Sequence, residues 1–588
     1  MIFESPDPVP SNLPPSGRIV YDHVLPEKTA FDPNSPAFID GITGRIITRA
    51  ELRRDTLRLG QGIHELKPRN AGREGKEPVV LIFSPNTMDY PVQFLGVQAA
   101  GCIASLVNAS YLTDELAHQI RDGTPFLIFI HPTLVEILES ALALLKAEGH
   151  DTAAIKVYST SSEGISSDKA DKHHYPSYQT LYAKLTSNIA VGYGRAEMSA
   201  QEIDDTPAVL CYSSGTTGRS KGVVTTNKNF NYLSALWSAH VNGHKVSPDK
   251  DKYVSVLPFY HIYGLLQILI APLVEGIPAV ILPRFMPETF LDAVSRYRIT
   301  IGIVVPPILL MLAHHPLVAK HDLSSLQMLM SAAAPLGEGL TNQVLDRLKK
   351  QGGEKAKGLK ITQAYGLTET TGASVSLKMQ FVEKKFGSVG TPYATFQYKV
   401  VDDEGKDLSP GETGELCMRG PGIMKGYWRN KKATEETFLP GPERWFKTGD
   451  SVHIDKDGFI YIVDRIKELI KYKGFQVAPA DLESLLVTHP KVDDVAVIGI
   501  YSDEHATELP RAYVVLSKDV ANQAEATQEI ADWVAKQVAG HKRLRGGVIP
   551  IDAIPKSAAG KTLRRQLRLL SDAKPATMTS QASRTSKL

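Results

Sequence analysis

Glycine and hydroxyl-bearing residues are concentrated in segment 212–222, which reads YSSGTTGRSKG and directly follows the apolar run 208–211. The apolar run predicts a strand. Glycines let the backbone after it turn amide groups inward, hydroxyls add hydrogen-bond donors, and Lys221 adds a positive charge. These properties predict a loop that holds a polyphosphate. The predicted contacts are Ser213, Ser214, Gly215, Thr216, Thr217, Gly218 and Lys221.

The spacing around two lysines that adjoin glycines, Lys221 and Lys561, disfavours a P-loop NTPase. That motif requires a glycine, four residues and then Gly-Lys-Ser/Thr. Lys221 is followed by Gly222, and segment 560–562 has Pro555 where the earlier glycine is needed. The alternative for segment 212–222 is a flexible Ser/Gly linker, which its position directly after an apolar strand disfavours.

Seven further motifs follow this segment in a fixed order. They occupy residues 257–264, 331–337, 363–370, 414–416, 445–450, 464–483 and 555–565. Together the motifs resemble the AMP-forming, adenylate-producing superfamily of acyl-CoA synthetases, 4-coumarate:CoA ligases, firefly luciferases and peptide-synthetase adenylation domains. The resemblance spans about residues 35–570, and segment 470–480 is most similar to the 4-coumarate:CoA ligase-like branch.

The resemblance implies a ligase with two half-reactions that uses ATP, Mg²⁺ and coenzyme A. A carboxylate attacks the α-phosphorus of ATP to give acyl-AMP and pyrophosphate, and the thiol of coenzyme A then displaces AMP. Positioned cations must overcome the repulsion between the two anions in the first step. By resemblance, Lys561 is the catalytic lysine, His261 lies beside the acyl carboxylate and Lys471 contacts the adenylate.

The same resemblance assigns the nucleotide and metal contacts. Tyr365 and Gly366 resemble the turn on which adenine stacks. Asp450 resembles the carboxylate that accepts hydrogen bonds from both ribose hydroxyls, with Arg465 as its partner. Glu369 resembles the magnesium ligand, because a hard carboxylate oxygen suits an ion that also binds phosphate. The remaining predicted contacts are Ala333 and Gln476 to the nucleotide and Thr368 to both nucleotide and metal.

Contacts to the acid and to coenzyme A also follow from the resemblance. The predicted acyl contacts are His261, Tyr263, Ala332 and Gly366. Ala332 stands where many relatives carry glycine, which is expected to narrow or shorten the acyl pocket. Lys473 and Gly474 are assigned to coenzyme A, since a residue without Cβ lets the backbone approach the pantetheine arm. Two acid classes stay open: an aryl-propenoate and a medium-to-long acyl chain.

Short apolar runs that alternate with helical patterns must position these residues. Runs 79–83, 301–305 and 495–500 predict strands, and continuous apolar strands between helices indicate an α/β architecture. The resemblance adds detail: a large N-terminal domain of stacked sheets with flanking helices and a small β-barrel-like subdomain, plus a small mobile α+β C-terminal domain. The predicted domains are 1–465 for ATP and acid binding, 466–570 with the catalytic lysine, and a flexible tail at 571–588. Lys467 resembles the hinge about which the small domain rotates.

Composition restricts the partners. The chain has 588 residues, 43% of them hydrophobic and 22% charged, with 66 basic and 64 acidic residues. A formal net charge of +2 gives no overall field for nucleic acid, so none is expected as a partner. The three cysteines form no CxxC pair, which predicts neither a disulfide framework nor a zinc site. The most apolar stretch, 262–274, is interrupted by Gln267 and Pro272, so it predicts a buried helix and no transmembrane segment.

The two ends of the chain bear on localisation. The first residues show no basic segment followed by an apolar one, which argues against secretion. Ser586, Lys587 and Leu588 form the peroxisomal import tripeptide, preceded by the polar run 571–585. The sequence therefore predicts a peroxisomal import receptor as a partner, with an ordinary frayed terminus as the alternative.

Three alternatives to the ligase follow from the same motifs. A luciferase-like oxygenase shares them, and light emission from a supplied luciferin, set beside thioester formation, separates the two. A catalytically silent nucleotide-binding scaffold is disfavoured because Lys561, Glu369 and Asp450 are all present. A peptide-synthetase adenylation module is disfavoured because no carrier segment is apparent after residue 570.

Overall fold

Twenty-six strands are present in the computed structural model, which describes the chain except residues 12, 69–76, 161–174, 184–197, 214–218, 242–245, 503–504, 506, 558–559 and 573–588. The strands are β1 (Phe3–Glu4), β2 (Pro36–Asp40), β3 (Ile46–Thr48), β4 (Val79–Phe83), β5 (Ile103–Leu106), β6 (Leu127–Ile130), β7 (Lys156–Ser159), β8 (Pro207–Ser213), β9 (Lys221–Thr226), β10 (Tyr253–Ser255), β11 (Ala279–Ile281), β12 (Ile301–Val304), β13 (Met328–Ser331), β14 (Lys360–Leu367), β15 (Gly372–Ser376), β16 (Thr391–Pro392), β17 (Gln397–Val401), β18 (Gly414–Arg419), β19 (Gly426–Tyr427), β20 (Phe446–Ile454), β21 (Ile460–Arg465), β22 (Ile470–Tyr472), β23 (Phe475–Val477), β24 (Val492–Ser502), β25 (Thr507–Leu516) and β26 (Val548–Pro550).

Helices flank these strands along the whole described chain. They are α1 (Val20–Val24), α2 (Arg49–Leu66), α3 (Asp89–Ala99), α4 (Thr113–Gly123), α5 (Val135–Ala147), α6 (Ala200–Asp205), α7 (Asn227–Val241), α8 (Ile262–Gly264), α9 (Ala271–Glu275), α10 (Pro287–Tyr297), α11 (Pro306–His314), α12 (Glu338–Gly352), α13 (Lys431–Glu436), α14 (Pro479–Leu486), α15 (Gln523–Gln537) and α16 (Arg564–Asp572). The chain divides into two units, one made mainly of Met1–Lys467 and one that begins at Glu468.

Two large, mostly parallel sheets form the centre of the first unit. The nine-stranded sheet has the order β16-β15-β14-β13-β12-β10-β11-β2-β3, and the seven-stranded sheet has the order β19-β9-β8-β5-β4-β6-β7. Every residue of β4 and of β12 is buried, as the apolar runs 79–83 and 301–305 predict. A third, five-stranded antiparallel sheet, β1-β17-β18-β20-β21, corresponds to the predicted small β-barrel-like subdomain, for which the sequence gives no boundaries. The predicted α/β fold is confirmed.

The apolar stretch after His261 is helical and buried, as predicted, but it is not a regular α-helix. α8 continues into a π-helical segment, Leu265–Ile270, and then into α9. Every residue of the π-helical segment is buried. Among the described residues, no helix is both long enough and apolar enough to cross a membrane.

The second unit is a small α+β domain. It contains a two-stranded hairpin, β22-β23, and a three-stranded sheet in the order β24-β25-β26. The hairpin contacts the start of β25, where the Thr507 hydroxyl donates to the Lys471 carbonyl at 2.7 Å. The predicted strand at 495–500 lies within β24, whose pairing with β25 is antiparallel over its whole length. In the core of the second unit, α14 and α15 pack against this sheet. Their buried residues there are Leu482, Leu486, Ile530 and Val534.

Candidate active site

The predicted phosphate loop connects two antiparallel strands. β8 ends at Ser213 and β9 begins at Lys221, and the strand register places these two residues opposite each other. The structure therefore brings together the two ends of the loop. Ser214, Gly215, Thr216, Thr217 and Gly218 lie outside the described residues.

A carboxylate stands at the base of this loop. Glu369, in the turn after β14, accepts hydrogen bonds at Oε1 from the Ser213 hydroxyl at 3.0 Å and from the Tyr427 hydroxyl at 3.0 Å. The Lys221 ammonium lies over the Tyr427 ring, 4.3 Å from its centroid. Burial and then the neighbouring Glu369 raise the pKa of Tyr427 above its ordinary value, so its hydroxyl stays a donor. The site thus holds one carboxylate, two hydroxyls and one cation, with Thr368 directly before the carboxylate.

Tyr427 is a site residue that the sequence motifs do not reveal. It lies in β19, at the edge of the seven-stranded sheet, and pairs with Val223 of β9. This long-range pairing brings it to Glu369, which is 58 residues away in sequence. The glycine and aromatic residues at 426–428 carry no acid-base or phosphate-binding pattern of their own.

The predicted ribose contacts form a second cluster on adjacent strands. Asp450 of β20 is 2% exposed and pairs in register with Arg465 of β21. Its Oδ1 lies 2.7 Å from Arg465 Nε, and its Oδ2 accepts a hydrogen bond from the Tyr365 hydroxyl at 2.5 Å. Burial and then Asp450 raise the pKa of Tyr365 well above its ordinary value, which keeps the phenol protonated. Two predicted residues, Tyr365 and Arg465, therefore meet at the buried carboxylate of a third, Asp450.

The two clusters influence each other electrostatically. Burial alone would lower the pKa of the Arg465 guanidinium, but Asp450, Tyr365 and Glu369 raise it overall. Arg465 is thus held charged between the two predicted sites, for the ribose and for the metal.

Tight backbone packing explains the glycine at 366. It lies in β14 and pairs with Ala373 of β15, and a Cβ at this position would stand 2.0 Å from the Gly372 carbonyl oxygen. No side chain fits there, so the position requires glycine for structural reasons as well as for any ligand.

The backbone after β13 is strained beside the predicted acyl contacts. Ala333 has a φ of +72°, a conformation that costs a non-glycine residue roughly 1–3 kcal/mol. The preceding Ala332 is 6% exposed. Strain of this kind is retained where the surrounding structure fixes the backbone, and such positions cluster at ligand sites.

His261 and Tyr263 lie at the start of the π-helical region. The His261 Nδ1 accepts a hydrogen bond from the Tyr263 backbone N–H at 3.2 Å, which caps α8. Tyr263 is 6% exposed, and burial followed by the nearby Tyr393 raises its pKa above the ordinary value. The imidazole therefore has an N-capping role, and its predicted contact with the acid is an additional role that stays a prediction.

Four predicted residues of the second unit lie on one exposed hairpin. Lys471 of β22 is directly opposite Gln476 of β23. Lys473 and Gly474 form the turn between them with φ values of +45° and +85°, a pair that favours glycine at the second position. A Cβ on Gly474 would meet no atom within 4 Å, so the turn itself explains this glycine within the unit.

The remaining predicted residues are Lys561, Lys467 and the terminal tripeptide. Lys561 donates its backbone N–H to the Ser557 hydroxyl at 3.1 Å, and its carbonyl accepts the Ser557 N–H at 2.8 Å, within the second unit. Lys467 is the last residue of the first unit's main segment, two residues after the predicted boundary at 465. Ser586, Lys587 and Leu588 lie outside the described residues. The roles of all these residues stay predictions.

Comparison with known proteins identifies the family. Residues 25–428 match the sequence model described as AMP-binding enzyme, and residues 481–561 match the one described as AMP-binding enzyme C-terminal domain. The chain is 38% identical over 542 residues to the Probable CoA ligase CCL5 of Humulus lupulus. The aligned region covers 92% of this chain and 90% of that protein. It is 36% identical over 534 residues to the Peroxisomal OPC-8:0-CoA ligase 1 of Arabidopsis thaliana, covering 90% of both.

A solved structure shows the same fold. An anthranilate CoA ligase in complex with anthranoyl-AMP superposes with a TM-score of 0.79 at 23% identity, covering 95% of this chain and 98% of that one. The chain therefore belongs to the family of AMP-binding, adenylate-forming enzymes. Within it, the chain is an AMP-forming acid–thiol ligase of the 4-coumarate:CoA ligase-like group, whose substrates are an acid, ATP and coenzyme A.

Proposed function

We propose that this ligase activates a carboxylic acid with an apolar body, either an aryl-propenoate or a medium-to-long acyl chain. The acid attacks the α-phosphorus of ATP, and the resulting acyl-AMP passes its acyl group to coenzyme A. The observation that carries the site assignment is the meeting of Ser213, Lys221 and Glu369 at the base of the phosphate loop. A cation and hydroxyl donors suit phosphate oxygens, while the carboxylate suits a metal ion bound to them.

Magnesium fits the donors at Glu369. The ion prefers hard oxygen ligands and is usually held by one or two carboxylates plus substrate phosphates and water. Glu369 supplies the carboxylate, and Thr368 supplies a hydroxyl from the same turn. Among the described residues, no group of three or more His, Cys, Asp or Glu is arranged to hold a metal, which is consistent with an ion that takes its other ligands from the nucleotide. When bound, it neutralises phosphate charge.

The nucleotide is assigned to both units. The triphosphate lies in the loop formed by Ser213, Ser214, Gly215, Thr216, Thr217, Gly218 and Lys221. Adenine stacks at Tyr365 and Gly366, and the ribose hydroxyls donate to Asp450, which Arg465 and Tyr365 hold in place. Ala333 and Thr368 contribute from the first unit and Lys471 and Gln476 from the second, where register pairs the last two.

Lys561 is assigned to the first chemical step. Two anions approach each other when the acid attacks the α-phosphate, and an ammonium between them stabilises the charge that accumulates in the transition state. His261 orients the acid carboxylate, since its imidazole position is set by the N–H that it caps. The acyl body lies against Tyr263, Ala332 and Gly366, where Ala332 narrows the pocket.

The second half-reaction uses the hairpin of the second unit. Lys473 and Gly474 are exposed at its turn, where they are assigned to coenzyme A. Rotation about Lys467 exchanges Lys561 for this turn at the reaction centre. Domain 1–465 thus binds ATP and acid, and domain 466–570 carries the residues specific to each half-reaction.

The tail 571–588 is assigned to targeting. Ser586, Lys587 and Leu588 match the import tripeptide, and a relative from Arabidopsis thaliana is named as peroxisomal. We infer an import receptor as a partner and the peroxisome as the location. A fluorescent fusion that carries the tail should be punctate and coincide with a peroxisomal marker, whereas removal of the tripeptide should make it diffuse. Equal distributions would refute this assignment.

A panel of acids tests the proposed function. AMP release is measured for cinnamate-type and saturated acids with and without coenzyme A, together with ATP–pyrophosphate exchange. The proposal expects exchange with at least one class and faster AMP release with coenzyme A, because the thiol clears the bound acyl-AMP. If neither class supports exchange above the rate without acid, the proposed acids are wrong.

A further inference from the structure

Helix α4 presents two polar side chains to the strands on either side of the phosphate loop. His118 and Asp122 are four residues apart, so they project from the same face of this helix. The His118 Nε2 lies 2.9 Å from the Ser220 carbonyl oxygen, directly before β9. The Asp122 carboxylate accepts a hydrogen bond at 2.7 Å from the hydroxyl of Tyr212 in β8. One helix face therefore contacts both strands that the loop connects.

Both contacts are made one residue before an assigned phosphate contact. Tyr212 precedes Ser213, and Ser220 precedes Lys221. Ser213 and Lys221 are opposite each other in the register of β8 and β9. A shift of either strand end would therefore move the hydroxyl or the ammonium that the proposed function assigns to the triphosphate.

The bond at Ser220 fixes the state of the imidazole. A carbonyl oxygen can only accept, so the Nε2 of His118 must carry the shared proton. Burial raises the pKa of the Tyr111 phenol, and a hydrogen bond with the Ser220 side chain opposes this rise. Ser220 is thus held at its carbonyl by α4 and at its hydroxyl by the residue pair that precedes α4.

The bond at Tyr212 is also well defined. Burial, and then the neighbouring Asp122, raise the pKa of Tyr212 above its ordinary value, so the phenol stays protonated and donates. The Asp122 backbone carbonyl accepts a further hydrogen bond from the Trp428 indole at 3.2 Å. Trp428 adjoins Tyr427, which donates to Glu369. The end of α4 therefore contacts both β8 and the residue next to the one that positions the predicted metal ligand.

We propose that His118 and Asp122 are positioning residues for ATP, which act through the two strands to hold Ser213 and Lys221 in place. The inference rests on the proposed function, which assigns these two contacts to the triphosphate. A helix that only stabilised the fold would change the amount of active enzyme and leave its affinity for ATP unaltered. Misplaced contacts bind ATP more weakly, because they must be reordered before they meet the phosphates.

Substitution of His118 tests the inference. His118→Gln keeps an N–H donor at a similar reach, whereas His118→Leu removes the donor. Glutamine and leucine are both good helix formers, so α4 is expected to form in each variant. The Kd for ATP with Mg²⁺, measured by calorimetry without acid, should rise about fivefold in His118→Leu and much less in His118→Gln. His314→Leu, at an exposed position of α11, should leave this Kd unchanged.

Tyr212→Phe tests the second contact with a different folding risk. It releases β8 from Asp122 and should raise the Kd for ATP by about tenfold, since the lost bond is made to a charged group. The KM for the acid in ATP–pyrophosphate exchange should stay unchanged in both His118→Leu and Tyr212→Phe, because both substitutions act on the triphosphate contacts.

The outcomes separate this inference from the proposed function. A Kd for ATP equal to that of the parent in a folded His118→Leu or Tyr212→Phe variant overturns the inference. An equal loss of affinity in His118→Gln and His118→Leu also overturns it, and the proposed function stands in either case if the parent supports exchange. A parent enzyme that binds ATP but supports no exchange with any aromatic or aliphatic acid refutes the proposed function, while the Kd values still decide the inference.

Discussion

The two halves of the candidate site are built differently. In the first unit, Asp450 is buried and holds two partners, and Glu369 holds two more. In the second unit, Lys471 and Gln476 are exposed on a short hairpin. The proposed nucleotide contacts of the first unit are therefore held by the core, whereas those of the second unit are presented by a local turn. This difference is what the proposed function expects, since it assigns one set of contacts to nucleotide binding and the other to the separate half-reactions.

The sharpest test of this division removes the proposed catalytic cation, Lys561, from the second unit. Lys561→Met should lower ATP–pyrophosphate exchange by about 10²–10³-fold, because no ammonium then offsets the charge in the transition state. Thioester formation from synthetic acyl-AMP should be much less affected. Lys536→Met, an exposed lysine of α15, is the control and should leave exchange intact. Undiminished exchange in Lys561→Met would contradict the assignment.

The next largest effect is expected at the buried carboxylate of the first unit. Asp450→Asn should raise the KM for ATP by roughly 30-fold and reduce stability by about 2 kcal/mol, because Arg465 loses its counter-charge; its partial exposure limits the loss. Tyr365→Phe, which removes one hydrogen-bond donor to Asp450 and keeps the ion pair with Arg465, should cost less, about 1.5 kcal/mol. Thermal unfolding and initial rates measure both. Equal effects of the two variants would show that the ion pair between Asp450 and Arg465 is not the main stabilising interaction of this cluster.

Lys467→Pro tests whether the two halves must move relative to each other. Proline fixes the backbone φ, so rotation about this residue is restricted. Thioester formation should fall by about tenfold or more, while adenylate formation changes far less. The two half-reactions are measured separately, by exchange and by the consumption of synthetic acyl-AMP. Equal losses in both would argue against a hinge at this position.

Tyr427→Phe tests a positioning residue of the first unit. The variant removes the hydroxyl that donates to Glu369 at 3.0 Å, a bond to a charged group worth about 1.5 kcal/mol. The Mg²⁺ concentration for half-maximal exchange should rise by about tenfold. Tyr461→Phe is the control, because it removes a tyrosine hydroxyl that lies beside a different carboxylate, that of Asp455. Tyr461 lies on the same antiparallel sheet as Asp450. An unchanged magnesium response would exclude a role through Glu369.

The smallest effect is expected at the hairpin turn of the second unit. Gly474→Ala places a Cβ at a φ of +85°, which costs about 1 kcal/mol although no atom obstructs it. Thermal unfolding should show this small loss. If coenzyme A passes this backbone, the added Cβ should also raise the KM for coenzyme A. No change in that KM would leave the turn as the sole reason for the glycine.

Local patterns predicted the strands, and they singled out several residues that the structure brings together in the first unit. The apolar runs at 79–83 and 301–305 became β4 and β12 because a strand buried on both faces needs apolar residues throughout. The partners Asp450 and Arg465 lie in separate motifs, and the register of β20 and β21 joins them. Tyr427 could not be predicted because its role depends on a pairing between distant strands. The π-helical turn at Leu265–Ile270 was also missed, because π and α turns bury the same apolar residues.

The geometry of Asp450 has a consequence for which nucleoside triphosphate the enzyme accepts. Tyr365 and Arg465 hold the two oxygens of this carboxylate in a fixed orientation from the protein side. On the proposed ribose role, the carboxylate accepts hydrogen bonds from the two hydroxyls of the vicinal diol. A 2′-deoxynucleotide offers only one of these hydroxyls, so dATP should be a poor substitute for ATP even though its triphosphate is identical.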